Sequence, residues 1–280
     1  MILIIKRADF SGKNLGKISV PLILEDHVKN IIKILAPSMT DNKKRSLNTF
    51  YNTLVSNKIW DKIDYLFIPF LCSDVSKSMI NIKTLETIYT PSSQYYRIIQ
   101  NGLSLKEEYN SGNMMYNDID CISFFIPNNI NTTNAHFLVV NGYKEFNQFS
   151  VTPTGGVDSL GYGDNPNYRE LAIKFNDFRV YSSKYLAEQI NEEWNPVVLF
   201  SINDGYPIKC ISGQIAEVAS RVETSNTTSS RWYLLKMWNN VLQNTTNFSM
   251  SVFSLGEGLD QEQCKIYMEA VNKLTKDFEA

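Results

Sequence analysis

The chain reads as an all-β protein, an antiparallel sandwich that carries two helices at its periphery, and three observations predict this. Short runs of β-branched and aromatic residues recur along most of the 280 residues, each bounded by Gly, Asn, Asp or Ser. Asn141-Gly142 and Asp204-Gly205 are dipeptides of the kind that two-residue hairpin turns favour, because both turn positions need positive φ. Helical spacing is confined to two long stretches and a short hint at Tyr185 to Glu192, so strands and helices do not alternate as a parallel sheet requires.

Taken in order, Ile2 to Ile5 and Lys17 to Leu24 read as strands around a turn at Ser11-Gly12-Lys13-Asn14. Residues 1–25 are thus either an edge hairpin or an N-terminal arm that docks on a partner by strand addition. Thr40 can cap a helix over 41–56, with Leu47, Phe50, Tyr51, Leu54 and Val55 on its apolar face and Asn57 ending it in a left-handed conformation. Ile59 to Leu71 is dense in aromatic and β-branched residues and reads as a buried strand, with Trp60 at the corner.

Further strands are expected at Tyr95 to Ile99, Ile122 to Ile126, His136 to Val140, Phe146 to Val151, Leu171 to Tyr181, Val197 to Ile202, Ile208 to Cys210, Ile215 to Val222, Arg231 to Met237 and Phe248 to Phe253. Gly256 and Gly258 then break the last strand. A closing helix follows over 260–278, with Asp260 as N-cap and Gln263 at the capping-box position. No linker or repeat divides residues 26–280, which are expected to form a single domain.

The formal net charge is −2, and no basic cluster interleaves with aromatics, which argues against nucleic acid as a partner. No apolar run approaches the roughly 20 residues of a membrane helix. The apolar start is too short for a signal-peptide core and has its basic residues on the wrong side, so synthesis in a cytoplasm is expected. Cys72, Cys121, Cys210 and Cys264 lie far apart with no metal-type spacing and read as reduced core residues.

Three segments resemble one family. Ile5-Lys6-Arg7-Ala8-Asp9-Phe10-Ser11-Gly12-Lys13-Asn14-Leu15-Gly16-Lys17-Ile18, the helix-Trp-strand unit from Leu47 to Pro69, and Ser254-Leu255-Gly256-Glu257-Gly258-Leu259-Asp260 with its helix are similar to LamG-like or concanavalin A-like jelly-roll structural proteins of tailed phages that infect Bacteroidetes, including crAss-like phages. The resemblance implies a concanavalin A-like jelly roll, with residues 1–25 as an anchoring arm and the helices 41–56 and 260–278 at its periphery. It further implies a virion protein made in the bacterial host cytoplasm: a head or tail fibre or decoration subunit without catalytic activity. Its partners would be capsid, portal-proximal or tail proteins and further copies of itself in a dimer or trimer.

Related sandwiches include glycoside hydrolases, which need paired carboxylates flanking one bond. No strand shows the alternating acidic E-x-D-x-x-E pattern; Asp118 and Asp120 alternate in an Asn-rich turn without a third acid, and Glu107-Glu108 and Glu192-Glu193 are adjacent. The two histidines, His27 and His136, accompany no nucleophile signature, and structural roles are expected for both. No catalytic residue is assigned, and a polysaccharide-degrading enzyme is the last of three readings.

The Gly-rich loop from Thr152 to Tyr168 offers Asp158 and Asp164 as oxygen ligands for calcium, although a plain surface loop is the simpler reading. Tyr162, Tyr168 and Asn165, with Tyr109, Tyr116, Asn110, Asn113 and Asn167 elsewhere, could stack on and hydrogen-bond a sugar. These parts suit the second reading, an adhesin for a host surface polysaccharide.

Overall fold

The computed structural model describes residues 22–88, 90–91, 93, 96–99, 102–105, 122–126, 134–141, 157–158, 171–174, 179–182, 197–211, 214–217, 230–234, 236–237 and 249–279. Residues 1–21, which hold most of the expected arm, lie outside it, as do Phe146 to Val151 and Tyr185 to Glu192.

Helix α1 spans Asp26–Leu35. Val28, Ile31, Ile32 and Leu35 recur at helical spacing and are all buried, while Asp26 in the first turn complements the helix dipole. Pro37 helps to end it, since a residue before proline avoids helical angles. Helix α2 spans Asp41–Ser56 and has the predicted cap, the Thr40 hydroxyl accepting from the Lys43 amide at 3.5 Å. Leu47, Phe50 and Leu54 are buried, but Val55, expected on the apolar face, is 44% exposed.

The left-handed residue ending α2 is Lys58, with φ 56°, and not Asn57 as expected. Lys58 N–H donates to the Val55 carbonyl at 3.1 Å and Ile59 N–H to the Leu54 carbonyl at 2.9 Å, so two orphan carbonyls are satisfied. The chain then makes a single tight turn, Trp60–Lys62, before its first strand.

Eight strands form the main sheet: β1 Ile63–Phe67, β2 Tyr96–Ile99, β3 Gly102–Leu105, β4 Ala135–Asn141, β5 Val197–Asn203, β6 Tyr206–Ile211, β7 Gln214–Glu217 and β8 Ser249–Gly256. Their order is β7-β6-β5-β4-β8-β3-β2, with β1 also on β8, and every pairing is antiparallel. Strand β8 is the axis of the sheet. One of its edges is filled by β4, and the other is shared by β3 at Ser249 and Met250 and by β1 from Phe253 to Gly256. Further antiparallel pairs join Ser230–Leu234 to Ile122–Ile126 and Arg179–Ser182 to Leu171–Lys174.

The β5–β6 hairpin is turned by Asp204 (φ 49°) and Gly205 (φ 81°), as the dipeptide predicts. Asn81, only 1% exposed, takes the place of a neighbouring strand for β1. Its side chain accepts from the Leu66 amide at 3.0 Å and donates to the Asp64 carbonyl at 2.9 Å.

Helix α3 spans Gln261–Glu279. It packs along α2 and lies over β5 and β6, and α1 packs on α2. Cys264, Tyr267, Met268, Val271 and Leu274 of α3 join Leu138, Val140, Leu199, Ile208, Cys210 and Val252 of the sheet in one buried cluster with α1 and α2. Each large apolar side chain so buried contributes about 1.5–3 kcal/mol. On the opposite face, Phe67 stacks on Phe253 at 5.9 Å, both fully buried.

These helices overturn the all-β class and with it the concanavalin A-like jelly roll with two peripheral helices. The body is α+β: among the described residues α3 lies on one sheet face, α2 packs on α3 and α1 on α2, and both expected helices belong to the core. Many strands were legible, but not all: Leu171 to Tyr181, expected as one strand, contains two that pair with each other, Gly102–Leu105 was not expected as a strand, Ile59 to Leu71 is a strand only over Ile63–Phe67, and residues 22–25 carry no strand. Helix α1 was not legible, because the apolar run before it ends at Leu24 and reads as a strand. Nothing in a period-two pattern shows which face another element covers.

Candidate functional site

The strongest concentration of polar groups in the described interior lies where β8 turns into α3. His136, Ser201 and Ser254 are fully buried there beside Tyr267. Register explains the gathering: His136 on β4 is the cross-strand partner of Ser201 on β5 and of Gly256 on β8. Ser254, two residues before Gly256, shares its face of the sheet.

The proton positions on His136 follow from its partners. Nδ1 faces the Glu257 carbonyl, which only accepts, so Nδ1 carries the hydrogen and donates. Nε2 therefore accepts from the Ser254 hydroxyl at 3.1 Å. Burial pushes the imidazole down to about 4; the Glu257 bond opposes this and the Lys62 charge adds to it, so the ring is neutral near pH 7. The Tyr267 ring meets it edge-on at 6.0 Å, and its fully buried hydroxyl lies near Ser254 without a hydrogen bond of good geometry.

The loop beyond β8 is held as tightly. Glu257 N–H donates to the Lys62 carbonyl at 2.8 Å and Gly258 N–H to Asn134 Oδ1 at 3.1 Å. Ser201 Oγ accepts from the Leu259 amide at 2.7 Å and donates to the Leu259 carbonyl at 2.8 Å. Lys62 Nζ donates to the Gly258 carbonyl and to Gln263 Oε1, at 3.0 and 2.7 Å. The predicted capping box is present: Gln263 N–H donates to Asp260 Oδ1 at 2.8 Å, and Asp260 N–H to Gln263 Oε1 at 3.3 Å.

Gly256 and Gly258 were expected to break the strand. Gly256 instead ends it in register, and both are needed for close approach. A Cβ on Gly256 would lie 2.0 Å from the Lys62 carbonyl oxygen, and one on Gly258 2.1 Å from that of Ile202.

A serine bonded to a histidine that a carbonyl orients has the connectivity of a nucleophile, a base and an orienting group. Here Ser254 and His136 have no exposed surface, so no substrate carbonyl reaches Ser254 in this conformation. The arrangement binds β4, β8 and the head of α3 together.

The second histidine sits elsewhere. His27 stacks on Tyr51 at 5.4 Å, meets Trp60 edge-on at 5.2 Å, and places Nε2 2.8 Å from the Ile82 carbonyl. Lys83 lies over the Trp60 ring at 5.1 Å and donates to the Trp60 carbonyl, so this face of Trp60 is covered. Burial lowers the Lys83 ammonium, against Asp61 and Asp64, and burial with the Glu257 charge raises the Asp64 carboxyl.

Of the loop residues singled out from sequence, Asp158 lies in the short strand Val157–Asp158, paired with Lys236 and Lys174. Asp164, Tyr162, Asn165 and Tyr168 lie outside the described residues, as do Tyr109 and Tyr116. Among the described residues no three His, Cys, Asp or Glu side chains gather as metal ligands. No helix there is long and apolar enough to cross a membrane. Cys72, Cys210 and Cys264 are buried free thiols, Cys72 pushed up to about 12 by burial. The buried junction was missed from sequence; the one signal for it was His136 amid apolar residues, beside a late Gly-x-Gly.

No protein-family model and no curated protein matches the chain. Among solved structures it is similar to Trypanosoma rangeli sialidase, at 10% identity and a TM-score of 0.46 over 81% of this chain. The same enzyme with 2,3-difluorosialic acid as a covalent intermediate aligns over 82% of this chain with the same score, and with the inhibitor DANA over 74% at 0.43. The chain spans 39% of the length of the first two. At these values the likeness assigns neither fold nor activity.

Proposed function

We propose that the chain is a non-catalytic structural subunit of a tailed-phage particle, a fibre or decoration protein that joins capsid or tail proteins as a dimer or trimer. One observation carries the reading. The two internal stretches that resemble phage structural proteins, 47–69 and the closing strand with its helix, are far apart in sequence yet pair strand to strand from Ile63↔Gly256 to Phe67↔Phe253. Each also caps the other: Lys62 holds the loop of the second, and Gln263 Nε2 of the second donates to the Asn57 carbonyl of the first at 3.2 Å. Segments that resemble a family separately and interlock in space behave as one inherited scaffold, which suits a protein whose task is mechanical.

The test is mass spectrometry of purified particles followed by cryo-electron density into which the α1–α3 body is fitted. The expected result is the chain at regular copy number on the head or tail. Detection only in infected-cell lysate, never in particles, overturns the reading.

A further inference from the structure

Among the described residues, few groups face His136. Strand β8 presents Ser254 and β5 presents Ser201, neither of which titrates in this range. The β8–α3 loop presents the Glu257 carbonyl, while the Glu257 side chain is exposed. The turn before β1 contributes the Lys62 ammonium, and α3 contributes the Tyr267 ring. No carboxylate among the described residues bonds the ring.

We infer that this junction is an acid-operated latch: proton uptake by His136 releases the 257–263 loop and the head of α3 from the sheet. In the closed state both ring nitrogens hold the β8–α3 connection, Nδ1–H at Glu257 and Nε2 at Ser254. Protonation turns Nε2 from an acceptor into a donor and leaves a cation in a fully buried site beside a second cation, Lys62. Opening the loop lets water reach the imidazolium, whereas β4 and β8 remain joined through their own ladder.

The direction follows from linkage. The ring titrates at about 4 when closed and at about 6.5 when hydrated, so the open state binds more protons between these values. The latch is complete well above pH 6.5 and weakens as pH falls, the open-to-closed ratio rising by about 80-fold between pH 6.5 and 4.

Hydrogen exchange of the whole chain, followed by mass spectrometry from pH 7.5 to 4.5 and corrected for intrinsic rates, tests this. Peptides covering 257–279 should lose protection by ten-fold or more below about pH 5.5, with α1 losing less. His136→Gln, which keeps an amide but cannot take a charge, should flatten that dependence. Should the variant fail to fold, histidine-labelled wild-type protein gives two ring signals to follow, since the chain has two histidines. A His136 ring that becomes cationic near pH 6.5 while 257–279 stays protected overturns the latch. So does the same loss of protection in His136→Gln, which would assign it to carboxylates, or protection that does not change with pH.

Discussion

The two histidines mark two regions that treat the same side chain in opposite ways. His27 lies half-buried, stacked on Tyr51, met edge-on by Trp60 and bonded to one carbonyl. His136 is fully buried and commits both nitrogens, one to β8 at Ser254 and one to the β8–α3 loop at Glu257. The first region is a patch of adaptable contacts at the surface, where a lost partner can be replaced by solvent. The second is a closed network in which each polar atom depends on a neighbour, so a single defect is felt by all of it.

The largest expected effect breaks the junction. Gly256→Ala must displace the Lys62 backbone and the His136 ring, and is expected to cost about 3 kcal/mol or to prevent folding, as urea denaturation would show. A loss below about 1 kcal/mol would mean that β1 and β8 can separate cheaply. In the aromatic patch, Trp60→Ala removes a larger side chain yet is expected to cost less, about 2 kcal/mol, because the site is already half open to water. If Trp60→Ala proves the more harmful of the two, the contrast fails.

Tyr267→Phe sharpens the comparison through its sign. Removing a buried hydroxyl without a well-made bond should be neutral or stabilising by up to about 1 kcal/mol in thermal or urea unfolding. A clear destabilisation would show that Ser254 holds it. The smallest effect belongs to Lys58→Gly at the end of α2, where glycine relieves the left-handed strain and should add about 0.5–1 kcal/mol.

Much of the local structure was readable from sequence. Helix α2 begins and ends where Thr40 and the apolar spacing place it, the Asp260–Gln263 capping box forms, and Asp204-Gly205 turns the β5–β6 hairpin. Helix α1 is equally encoded, in Val28, Ile31, Ile32 and Leu35, but the apolar run ending at Leu24 directly before it has the pattern of a hairpin strand. The junction was not readable, and Gly256 and Gly258 looked like turn residues because a close approach leaves no mark on neighbouring positions.

By itself the sequence determined those features whose partners lie within a turn: caps, helix faces, the tight hairpin, and the outline of single strands. Such bonds join residues only a few positions apart, so their chemistry is written side by side. The tertiary structure alone decided that three helices share one core with the sheet and that His136 becomes the centre of a lock. Its bonds run to Glu257 and Ser254 across 121 and 118 positions, and the Lys62 bond to Gly258 across 196. Burial and proton affinity at such distances depend on which faces meet, and that is fixed only when the layers pack.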